Sequence, residues 1–295
     1  MNRGVIYALL AFSMWGLYPL YFVQLKSVAP LEVVLQRALW SLVFIVAVLA
    51  WMRHWRWLQP LQREPRQLGV YALSALLIGS NWLVYVWAVA HGQVLQASLG
   101  YFINPIINVA LGVLVLRERL RRAQWVAVAL ACAGVLWLTA AAGAVPWLAL
   151  SMALLFALYG LVRKTARLGA LEGLSIETFL IAVPALPLLA WWTASHDGAL
   201  ARGDAGLVAW LVLAGPLTVL PLLAFTGAAR RLPLATLGVL QYLSPTLQFV
   251  LGVWVFGEAF DTTRLAGFAL IWAALAVYSA DAIALTRRPA PVPPP

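Results

Sequence analysis

The chain has 295 residues, of which 64% are apolar and 10% charged, with a formal net charge of +10. A soluble domain carries roughly 45–50% apolar and 25% charged residues, so the composition excludes an ordinary soluble fold and points to lipid as the surrounding medium. The positive charge does not indicate nucleic acid, because the basic residues sit in small groups between apolar runs rather than in one patch.

Apolar runs fall at 4–24, 31–51, 67–89, 94–116, 123–141, 146–163, 173–194, 206–228, 234–256 and 263–284. Each is near the roughly 20 residues that a transmembrane helix needs. The first run follows Arg3 and ends near the small-residue triplet Ser27-Val28-Ala29, as a signal peptide does. It is longer than the roughly 7–15 residues of a signal core, and Pro30 follows, so a retained first helix is expected. Spans and short connections then use nearly the whole chain, leaving no room for a soluble domain. Residues 286–295 are rich in proline and are expected to form a disordered tail.

Orientation follows from the basic residues. With the N-terminus in the cytoplasm, the cytoplasmic segments hold Arg3, Arg53, Arg56, Arg63, Arg66, Arg117, Arg119, Arg121, Arg122, Arg163, Lys164, Arg167, Arg230, Arg231, Arg287 and Arg288. The outer segments hold only Lys26, Arg202 and Arg264, and Arg37 lies inside a span. Both termini are therefore expected inside. Trp51, Trp55, Trp57, Trp147, Trp191 and Trp192 fit interfacial belts. Cys132 is a lone cysteine, and His54, His91 and His196 show no ligand spacing, so no metal or cofactor is expected.

The chain repeats itself. Pro105-x6-Gly112-x5-Glu118 recurs as Pro245-x6-Gly252-x5-Glu258, 140 residues on, and Leu31-Glu32 recurs as Leu171-Glu172. Ala97-Ser98-Leu99-Gly100 recurs as Ala235-Thr236-Leu237-Gly238. Five helices precede the second copy, so it enters the membrane from the opposite side. The predicted fold is an all-α membrane protein of about ten transmembrane helices. They form two inverted five-helix repeats, 1–141 and 142–285, around a central cavity. Inverted repeats of this kind are typical of secondary transporters, whose halves rock about a site near the midplane.

The paired proline–glycine–glutamate motifs, each followed by a helix rich in Ala and Gly, resemble the EamA-type ten-helix branch of the drug/metabolite transporter superfamily. The stretches GVIYALLAFSMWGLYPLYF and GSNWLVYVWAVAHGQVLQASLGYFINPIINVALGVLVLRERL are similar to the RarD group, usually labelled chloramphenicol-sensitivity proteins. The similarity covers residues 1–285 and implies a plasma-membrane permease or exporter, not an enzyme. Small multidrug-resistance relatives exchange protons on a glutamate deep in their first helix. Residues 4–24 contain no acidic residue, so coupling would use groups elsewhere. No phosphate-binding glycine-rich loop with lysine is present, which argues against ATP as the energy source.

Polar side chains at membrane depth face a cavity or a partner helix. Asn104 and Asn108 share one helix face, as do Gln241, Ser244 and Gln248, and the 140-residue shift maps the first pair onto Ser244 and Gln248. These stripes either line a substrate cavity or bond helix to helix. Replacing Asn108 or Gln248 with Leu is expected to abolish transport without preventing insertion. Trp15, Tyr18, Asn81 and Tyr85 offer amphipathic walls for an organic substrate. Arg37 either binds an anionic group or snorkels to the headgroups. Glu177 is expected near the opposite surface, which argues against a direct Arg37–Glu177 pair. Glu118 and Glu258 each precede a new helix and are expected to cap it, with gating as the lesser role.

The reading is a multi-pass permease or exporter of the bacterial inner membrane that moves a small metabolite or drug-like molecule by alternating access. A flippase of lipids or lipid-linked precursors is the alternative on the same fold. The expected partners are a small-molecule substrate and the bilayer; a monomer is compatible with the fold, and the sequence leaves the oligomeric state open. An intramembrane enzyme would need a converging acid–base or metal set at an interface, and no His/Asp/Glu cluster is apparent.

Overall fold

The structure is a computed structural model that describes residues 3–58, 65–91, 94–141, 147–195, 198–200, 204–257 and 262–286. The elements in order are α1 Arg3–Gly16, α2 Tyr18–Phe22, α3 Pro30–Met52, α4 Pro65–Ala90, α5 Val94–Leu114, α6 Arg122–Ala141, α7 Trp147–Thr165, α8 Ala170–Ser195, α9 Ala205–Ala229, α10 Leu234–Gln241, α11 Leu243–Trp254 and α12 Thr262–Thr286. Among the described residues there is no strand. Eight segments are long and apolar enough to cross a membrane, with α1–α2 and α10–α11 each counted as one. Two shorter apolar stretches, 99–114 and 265–281, bring the total to about ten. Thr286, the first residue of the expected tail, instead closes α12, and residues 287–295 and Glu258 lie outside the described residues.

Local chemistry explains the breaks. Pro19 stands in the first turn of α2, where a missing N–H is harmless, and α1 stops just before it. Pro245 cannot donate back to the Gln241 carbonyl, and the helix is interrupted at Tyr242. Pro30 and Pro65 open α3 and α4. Asp204 caps α9, its carboxylate accepting from Gly206 N at 2.9 Å and Leu207 N at 3.2 Å.

The helices form a closed ring. α1 packs on α9, α9 on α3, α3 on α8, α8 on α4, α4 on α7, α7 on α5, α5 on α10, and α10 with α11 back on α1. α6 and α12 pair outside the ring, where a Cβ at Gly134 would come 2.9 Å from the Gly267 carbonyl. Two contacts in the ring are reciprocal. Glu32, at the start of α3, accepts from Ala199 N just past α8 (2.7 Å), and Glu172, at the start of α8, meets His54 just past α3 (2.8 Å). The ring's core gathers Ala8, Phe12, Ile45, Tyr159, Val219 and Phe225. Leu76, Leu83, Leu136 and Val183 are exposed on outward faces, as suits helices that meet lipid.

Candidate functional site

A small cavity of about 10 Å³, room for one water molecule, lies within the ring. Its wall comes from four consecutive ring helices: Ala38 and Ser41 of α3, Ile78 and Trp82 of α4, Glu177 and Thr178 near the start of α8, and Thr218 of α9. Four of these are polar. Ser41 is 2% exposed, and its Oγ has no hydrogen-bond partner.

On the side toward the start of α8, Glu177 is wholly buried. Ser74 Oγ donates to its Oε1 at 2.5 Å and Tyr159 OH to its Oε2 at 3.3 Å, while Arg163 Nη1 stands 3.3 Å from Oε1 as an ion pair without a hydrogen bond. Arg163 is itself 0% exposed. Its Nη2 donates to the carbonyls of Gly169 (3.3 Å) and Ala170 (3.1 Å), and its Nε to Thr226 Oγ1 (3.5 Å). The guanidinium carbon stands 5.6 Å from the centre of the Tyr71 ring. Gly173 makes the space, since a Cβ there would overlap Arg163 Nη1. The sequence places Arg163 with the cytoplasmic loop charges and makes Arg37 the one basic residue inside a span. The structure keeps Arg163 in the last turn of α7 and adds what the sequence does not show: the side chain is fully buried as the counter-ion of Glu177. A carboxylate in an apolar run needs a cation, and Arg163, 14 residues upstream of Glu177, is the available signal.

On the other side stands Arg37, 9% exposed. Its Nε donates to Thr218 Oγ1 at 3.1 Å, and its guanidinium carbon lies 4.7 Å from the Trp82 ring centre. Thr218 and Trp82 both line the cavity. No carboxylate pairs with Arg37 among the described residues, and Glu177 is paired with Arg163 instead. Tyr18 reaches the same place from α2, its hydroxyl donating to the carbonyl of Leu217, next to Thr218. The predicted residues Tyr18 and Arg37 are thus brought into one neighbourhood, and Tyr85 follows Trp82 by about one turn of α4. Ser41, Ser74, Arg163, Thr178 and Thr218 were not singled out from sequence, because a lone Ser or Thr in an apolar run carries no distinctive signal.

The other predicted residues bond helix to helix, outside the cavity lining. Asn104 Nδ2 donates to Ala153 O (2.8 Å), and Asn108 Nδ2 to Asn104 Oδ1 and Gln241 Oε1 (2.9 Å each). Ser244 Oγ donates to Phe12 O (2.7 Å), Gln248 Nε2 to Trp15 O (3.2 Å) and Asn81 Nδ2 to Met152 O (2.8 Å). Trp15 packs among Phe12, Phe156 and Phe225. The substitution Asn108→Leu would leave Gln241 Oε1 without this donor in a buried setting, at a cost of about 1–3 kcal/mol. Its thermal unfolding should shift down alongside any loss of transport.

Glu118 does cap a helix, but not the one that follows it. Its oxygens accept from Leu234 N (2.6 Å) and Ala235 N (3.0 Å) at the start of α10. Lys164 Nζ is 3.9 Å away and donates to the carbonyls of Ala229 and Leu232. The substitution Glu118→Ala should remove about 1–2 kcal/mol through the lost cap. Unfolding of the purified variant in detergent measures it, and an unchanged midpoint would show the cap to be idle.

Comparison with known proteins agrees with this architecture. Residues 2–140 match the EamA-like transporter family. The chain is 48% identical to an uncharacterized transporter of Pseudomonas aeruginosa, over 98% of this chain and 97% of the relative. It is 44% identical to protein RarD of Escherichia coli, over 97% of each. It is 33% identical to the chloramphenicol-sensitive protein RarD of P. aeruginosa, over 98% and 97%. A solved crystal structure at 19% identity shares the fold, with a TM-score of 0.70 over 96% of this chain and 98% of that one. Full-length identity to proteins named as transporters, together with the apolar helices, makes the chain a multi-pass bacterial membrane transporter rather than an enzyme. It belongs to the EamA-type drug/metabolite transporters, in the RarD group.

Proposed function

We propose that the chain is a secondary transporter that moves a small metabolite or drug-like molecule across the inner membrane by alternating access, with both termini cytoplasmic. The moving units are two inverted five-helix halves, 1–141 and 142–285. The ring order supports this: exchanging each helix of one half for its counterpart in the other reproduces the same sequence of neighbours. The reciprocal Glu32 and Glu172 contacts follow the same exchange.

The observation that carries the reading is Arg37, a guanidinium with no acidic partner among the described residues, held against two residues that line the cavity. An intramembrane charge of this kind is expensive unless it serves a ligand. It favours cargo bearing a carboxylate or another anionic group, with Trp82, Tyr18 and Tyr85 beside it for the organic portion. The cavity has room for one water only, and opening the halves enlarges it. The polar residues Asn81, Asn104, Asn108, Gln241, Ser244 and Gln248 hold the helices that must move past one another, and become available to cargo as the halves separate.

Uptake into proteoliposomes of radiolabelled amino acids, organic acids and chloramphenicol tests this, with and without an imposed pH gradient. Protein-dependent accumulation of an anionic or zwitterionic compound is expected. No flux of any compound, together with scrambling of a fluorescent lipid by the same protein, would replace this reading with a flippase.

A further inference from the structure

Glu177 and Arg163 hold each other unequally. Besides Glu177, Arg163 has the Gly169 and Ala170 carbonyls, Thr226 Oγ1 and the face of Tyr71. All of these remain if Glu177 loses its charge. Glu177 has Arg163, Ser74 and Tyr159, and it also lines the cavity. A guanidinium keeps its proton under all ordinary conditions, whereas a carboxylate gains one readily. Only one of the two charges can therefore be switched, and it is the one that borders the cavity. Ser41 Oγ, buried without a partner in the same cavity wall, is placed to hold the water that a proton would travel on.

We propose that Glu177 is the proton-exchange site of this transporter and that it drives proton–anion symport. The step is a transfer from a hydronium ion in the cavity to the carboxylate, giving water and a neutral carboxylic acid; it reverses when the cavity opens to the other side. Protonation leaves the Arg163 charge uncompensated behind Glu177, one side chain removed from the cavity, in addition to that of Arg37. The cavity then attracts an anion more strongly, and by linkage the bound anion raises the affinity for the proton by the same factor. The charged and titratable groups that face Glu177 are Arg163 and Tyr159 of α7 and Tyr71 of α4, among the described residues. α3 and α9 contribute Ser41, Thr218 and Thr226, and Arg37 stands beyond Thr218.

The inference rests on the transport reading above, and its test separates the two. Wild-type protein is reconstituted with the pH dye pyranine trapped inside, and an inward gradient of each labelled amino acid or organic acid is imposed without a pH gradient. Cargo entry with acidification of the lumen is expected. Cargo entry without acidification overturns the coupling and leaves the transport reading intact, whereas no cargo entry for any compound removes the transport reading and the coupling with it. In Glu177→Gln, the ratio of proton entry to cargo entry should fall at least tenfold, whatever flux remains, and Glu177→Asp should retain it. An unchanged ratio in Glu177→Gln assigns the proton to another group. Should that variant not fold, the wild-type measurement still decides the coupling, since cargo entry without acidification overturns the proposal.

Discussion

Replacing Arg163 with Met should strand Glu177 as a buried carboxylate and remove about 3–5 kcal/mol of bundle stability. The two side chains are each fully buried, and their ion pair is 3.3 Å long. Their surroundings are tailored to them: Gly173 leaves the space for the guanidinium, and Ser74 and Tyr159 complete the carboxylate. The double variant Arg163→Met/Glu177→Met removes both charges and should recover most of the loss, because two apolar side chains of similar volume do not need pairing. Thermal unfolding of the purified proteins in detergent, followed by tryptophan fluorescence, reads both effects. If the single variant unfolded at the wild-type temperature, the pair would have no structural role. If the double variant were as unstable as the single one, the loss would come from packing rather than from charge.

Arg37→Ala should reduce uptake of the transported compound at least about 30-fold. Removing one partner of a buried, hydrogen-bonded charge pair costs about 2–5 kcal/mol, and each 1.4 kcal/mol is about tenfold in affinity. The folded structure should tolerate the change, because it removes one hydrogen bond to Thr218 and the stack on Trp82 and strands no buried carboxylate among the described residues. Arg37→Lys should be intermediate: it retains a point charge but loses the planar fork and the stacking face. Uptake rates in proteoliposomes at equal amounts of folded protein give the comparison. Full uptake by Arg37→Ala would remove this residue from the cargo path.

Much of the architecture was legible in the sequence. The apolar runs match the helices to within a few residues, because a span in lipid must satisfy its own backbone hydrogen bonds and expose apolar side chains along its length. The interruptions near Pro19 and Pro245 follow from a missing N–H. The family was legible in the paired proline–glycine–glutamate motifs and the first-helix stretch. Arg37 stood out because it is a charge inside an apolar run.

Only the tertiary structure decided which side chains meet. Glu118 caps α10, 116 residues away, rather than the helix that follows it. Asn108 bonds to Gln241, 133 residues away. Arg163 reads in the sequence as one more loop charge, yet it folds back to neutralise Glu177. The physical reason is common to all three. Hydropathy along one helix reports whether that helix can live in lipid, and its periodicity reports which face is turned inward. Neither says which helix lies opposite, and in a bundle the energy of a buried polar group depends on the partner that the opposite helix supplies.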